Sequence, residues 1–182
     1  MQELTGAQVL ISSGDAGVLE DGGQSSPYGN GSEQWKPVKP DRVLHDGEQV
    51  QLGDVTLFAH ATPGMTKGCT TWTTVVEESG KKYSVVVLCG LGVGDNKQFV
   101  GNPERYPDIL DDYRKTFAKL KSLPCDIYLG VHAASFGLME KMKRMKQGTG
   151  PNPFIDPLGF RTYVDAREPE YLELVEKAHR AH

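Results

Sequence analysis

From Arg42 to His60 apolar residues recur at every second position, split by turn dipeptides. Val43-Leu44 precedes Asp46-Gly47, Val50 and Leu52 precede Gly53-Asp54, and Val55, Leu57 and Ala59 follow. This period of two predicts short strands joined by tight turns. Pro63-Gly64 ends the last of them, and the run Thr70 to Val76 predicts the next. Glu78-Ser79-Gly80-Lys81 reads as a hairpin turn, and the continuous apolar run Tyr83 to Leu88 as a strand buried on both faces.

Helical periodicity appears later. Leu110, Tyr113, Phe117 and Leu120 predict an amphipathic helix over Pro107 to Leu123, with the proline in its first turn. Ile127 to Val131 reads as a buried strand ending at His132. Phe136 to Lys146 reads as a helix whose Lys141, Lys143, Arg144 and Lys146 form a solvated basic face. Pro169 is expected to open a last helix, with Tyr171, Val175 and Ala178 on one side. At the other end, residues 1–7 read as the tail of a helix closed by Gly6, followed by a strand over Gln8 to Ser12. A helical turn near Ala16–Leu19 and a long Gly/Ser/Pro-rich loop to Pro40 come next. No internal repeat and no linker divides the chain, so one domain over 1–182 is expected.

The 182 residues are 38% hydrophobic, enough for one core. A net charge of -4 argues against a nucleic-acid footprint, and no apolar stretch approaches the ~18 residues of a membrane span. The first residues show neither a basic nor an apolar leader region, so the chain as written reads as cytoplasmic. Cys69, Cys89 and Cys125 are an odd set without CxxC spacing, and are expected as buried or free thiols in a reducing compartment.

The stretch that carries most chemistry is His60-Ala-Thr-Pro-Gly-Met-Thr-Lys-Gly-Cys-Thr-Thr-Trp72. With Thr5-Gly6-Ala7-Gln8-Val9, Asp41-Arg42-Val43, Asp46-Gly47-Glu48, Gly101 through Pro107, Leu123-Pro124-Cys125-Asp126 and His132, it resembles the subclass B3 metallo-β-lactamases. The resemblance implies an α/β (α+β) fold: the C-terminal part of an αββα sandwich, with a mostly antiparallel, mixed sheet flanked by helices. It also implies a family whose two zinc ions activate a water against the β-lactam ring, and whose members are typically periplasmic or secreted.

Three departures follow from the same resemblance. Family members place a zinc-binding histidine where this chain has Met65, and a thioether suits copper(I) better than zinc. Their serine-bearing loop is replaced by Leu88-Cys89-Gly90-Leu91-Gly92, whose Gly90 and Gly92 cannot hold water or substrate. Their His-x-His-x-Asp-His motif lies upstream of the point at which this chain begins, so a truncated domain is expected. His132 matches the one family ligand retained. His60 is expected to be a structural, hydrogen-bonded histidine.

Two functional classes remain open on these grounds. One is a non-catalytic relic or binding module on the metallo-β-lactamase scaffold. The other is a zinc hydrolase rebuilt on other ligands or completed by a partner, with a β-lactam as substrate only then. A cysteine hydrolase built on Cys89 and His132 lacks an orienting third group. Zinc itself is expected to be absent or weakly held, with Cys89 and His132 sharing one ion. Missing cover over the strands further predicts a homo-oligomer, with exchanged elements as one form.

Overall fold

Ser79 and Gly80 both take positive φ, 52° and 77°, the pairing that lets a two-residue turn match strand twist. They join β5 (Thr70–Glu78) to β6 (Lys81–Leu88), in register from Glu78↔Lys81 to Trp72↔Val87. In this computed structural model, which describes residues 2–28, 34–93, 104–148 and 150–180, that hairpin is the centre of a five-stranded sheet. The order is β3 (Gln49–Leu52), β4 (Val55–Ala61), β5, β6, β7 (Ile127–Gly130), antiparallel except for the β6–β7 pair. The sheet is therefore mixed, as expected. A separate pair, β1 (Leu10–Ser12) and β2 (Arg42–Leu44), runs parallel. The short helices α1 (Gln2–Thr5) and α2 (Ala16–Glu20) flank β1.

One face of the sheet is closed by α3 (Ile109–Ser122) and α5 (Gly159–Arg180). Val86 and Leu88 of β6 join Tyr113, Phe117, Leu120, Val164 and Leu174 in the core there. The helix α4 (Leu138–Gln147) follows a 3-10 turn over Ala133–Phe136. His60 of β4 is the structural histidine expected: its Nε2 lies 2.8 Å from Thr73 Oγ1. Burial, and then the nearby Lys119, hold it below the usual imidazole range.

Four sequence expectations are corrected. Pro107 stands outside α3, because Asp108 adopts the left-handed conformation (φ 63°) and the helix starts at Ile109. The last helix opens at Gly159, with Pro169 inside it. Lys141 is not on a solvated face; its side chain is 10% exposed and meets Asp156 at 3.3 Å. Cys69 and Cys89 are joined in a disulfide, with Cα atoms 5.8 Å apart, so the free-thiol reading holds only for Cys125. Burial pushes that thiol up to about 11. Gly101-Asn102-Pro103 and part of the loop before Pro40 lie outside the described residues.

Candidate functional site

The turn between β4 and β5 is held from every side. Asp15 accepts from Thr66 Oγ1 at 2.6 Å and from the Gly68 amide at 2.8 Å. Ser12 Oγ donates to the Gly68 carbonyl at 2.6 Å, and Thr116 Oγ1 of α3 donates to the Pro63 carbonyl at 2.6 Å. Tyr28 donates its phenol proton to the Met65 carbonyl. Gly64 has φ 136° and lies so close to α3 that a Cβ there would stand 2.6 Å from the Tyr113 ring. Only glycine satisfies both demands. The disulfide from Cys69 then ties the end of this turn to the end of β6. Met65 is thus presented by a rigid frame.

Met65 faces Gly90. A Cβ added to Gly90 would stand 3.3 Å from Met65 Cγ and 3.8 Å from its Sδ. The two departures noted in the sequence are therefore physically coupled: the thioether occupies room that a side chain at 90 would contest. Across a cavity of about 150 Å³ stands His132. It stands two residues beyond the end of β7 and caps the 3-10 turn, its carbonyl accepting from the Ser135 amide at 3.0 Å and from Ser135 Oγ at 2.7 Å. Its side chain is exposed. Gly92, Tyr128, Tyr163 and Arg167 also line it, and among the described lining residues none is a carboxylate.

The fold is shared closely with several metallo-β-lactamases. FEZ-1 metallo-β-lactamase from Legionella gormanii superposes with a TM-score of 0.90 at 36% identity, over 98% of this chain and 68% of that one. BJP-1 of Bradyrhizobium japonicum, a subclass B3 enzyme, gives 0.87 at 38% identity, over 99% and 67%. GOB-18 from Elizabethkingia meningoseptica gives 0.82 at 32%, over 97% and 65%. The chain belongs to the subclass B3 metallo-β-lactamases. It spans about two thirds of the length of these relatives, and no family model matches it.

B3 membership implies zinc, and a zinc site needs about three protein ligands per ion. Among the described residues no three histidine, cysteine, aspartate or glutamate side chains gather to hold one. His132 lines the cavity, but Cys89 is bonded to Cys69 and has no thiolate to offer. The expectation of a Cys89–His132 zinc pair is corrected by that bond. Met65 adds a soft, weak donor. This donor set does not fit zinc.

The hairpin register itself signals the disulfide. Extending Trp72↔Val87 by three residues sets Cys69 opposite Gly90, one residue from Cys89. Tyr128, Ser135, Tyr163 and Arg167 are site residues that sequence reasoning missed. Placing the last helix at Pro169 left Tyr163 and Arg167 outside any element, and the 3-10 turn that positions Ser135 carries no periodic pattern.

Proposed function

We propose that this domain is a B3 scaffold whose zinc centre is disabled, and that residues 1–182 do not hydrolyse β-lactams by zinc chemistry. The observation that carries this reading is Met65 packed against Gly90 in a tightly held turn. Recovering a histidine ligand there means replacing a side chain against which the opposite wall has been cut back. The Cys69–Cys89 bridge favours an oxidising compartment over the reducing one.

A second reading is favoured by one feature. His132 is exposed on the cavity wall, within a fold that matches zinc enzymes closely, so a partner supplying further ligands would find an imidazole ready. The proposed partner of other kind is a second copy of the chain. Leu52, Val55 and Val76 share, by register, the sheet face opposite α3 and α5, and are 85%, 55% and 42% exposed. An apolar face of this sort favours association.

A chromogenic cephalosporin assay of the purified chain with added zinc tests the reading. The expected result is no turnover above the buffer rate. Turnover within the usual enzymatic range of ~1–10³ per second, abolished by a chelator, would overturn it.

A further inference from the structure

The two ends of the Cys69–Cys89 bridge sit in different surroundings. Cys69 is 3% exposed, and its carbonyl accepts at 2.9 Å from the amide of Thr62, which is 2% exposed. Cys89 is half-buried and lines the cavity that Met65 and His132 also line. Gly90 and Gly92 border the same space and carry no side chain that would screen it. A reagent arriving through the cavity therefore meets the Cys89 end of the bridge first.

A second, independent observation concerns what happens to Cys69 when the bridge opens. Its Sγ lies 3.6 Å from the Gly90 carbonyl oxygen, so a thiol formed there has an acceptor for its S–H where it stands. The turn that carries it does not depend on the bridge alone. Asp15 holds Thr66 and the Gly68 amide, Ser12 holds the Gly68 carbonyl, and Thr116 holds the Pro63 carbonyl. Opening the bridge is thus a local event in a frame that stays fastened.

We propose that Cys89 is a modification site for small monothiols, which displace Cys69 and stay in the cavity as a mixed disulfide. The incoming thiolate forms a bond to Cys89 Sγ as the Cys69–Cys89 bond breaks. The electron pair passes to the Cys69 sulfur, which takes up the proton that the incoming thiol gave up. One disulfide replaces another, so no further oxidant or reductant is consumed. The cavity of about 150 Å³ holds roughly five waters at ~30 Å³ each, which suits a thiol of roughly two or three carbons. The adduct lies beside Met65 and changes the shape and polarity of the cavity. No metal takes part, so the outcome is independent of the zinc reading.

The test treats the native 182-residue protein with β-mercaptoethanol, quenches in acid at successive times, and locates the hydroxyethylthio group on peptic fragments by mass spectrometry. The adduct is expected on Cys89 in roughly tenfold excess over Cys69, because rates of exchange follow access to the sulfur attacked. In urea-unfolded protein that excess should disappear, since both sulfurs are then equally reachable. Amide shifts of the native adduct should change at Gly90 and Gly92 and stay unchanged in Gln49–Leu52, at the far edge of the sheet. Equal or preferred modification of Cys69 in the native protein would overturn the proposal. So would the same ratio in native and unfolded protein, or full reduction of the bridge with no Cys89 adduct at any time.

Discussion

The two walls of the cavity differ in how they are built. The Met65 turn is fastened by Asp15, Ser12, Tyr28, Thr116 and a disulfide, and it carries a side chain with little metal chemistry. The His132 wall carries an exposed imidazole, held through its backbone by Ser135 alone among the described side chains. The difference teaches that scaffold and chemistry are separable. Hydrogen bonds and packing at a turn fix where a side chain is displayed without reference to which side chain it is.

The largest effect should come from the fastened wall. Gly64→Ala must place a Cβ against Tyr113 at a positive φ, combining overpacking with backbone strain. Together these should cost about 3 kcal/mol or more. A denaturant midpoint within error of wild type would show that the turn yields, and would break the contrast between walls. Reducing the Cys69–Cys89 bond should come next. Its sequence separation of 20 implies a loss of about 3 kcal/mol on the chain-entropy account. Chemical denaturation with and without a dithiol reductant measures it, and a loss confined to Cys69→Ser/Cys89→Ser would trace it to this bridge. The smallest effect should be on the other wall. His132→Ala is expected to shift stability by no more than about 0.5 kcal/mol, as for other exposed positions without a buried partner. A larger loss would mean that the imidazole is engaged, and the walls would no longer differ as described.

Much of the frame was legible because its signals are local. Turn dipeptides at Asp46-Gly47, Gly53-Asp54 and Ser79-Gly80 punctuate alternating strands, and each strand stands within two residues of its expected position. The α3 face was readable from Tyr113, Phe117 and Leu120, all buried. What was not legible depends on tertiary partners. Lys141 reads as solvated until Asp156, fifteen residues on, is seen beside it. Pro169 reads as a helix start because proline favours first turns, yet α5 runs ten residues before reaching it. Cys69 and Cys89 were read by their count instead of by hairpin register. Met65, Gly90, Gly92 and His132, singled out in the sequence, all line one cavity. That Met65 and Gly90 are in contact, and that Arg167 and Tyr128 face the same space, follows only from how β6, β7 and α5 converge.

The central claim is that the turn carrying Met65 leaves no competent zinc centre in this chain. Metal analysis of the purified protein, after equilibration with zinc and removal of unbound metal by gel filtration, tests it most directly. The account predicts well below one zinc per chain, unchanged in His132→Ala. One tightly held zinc per chain, lost in His132→Ala, would contradict it.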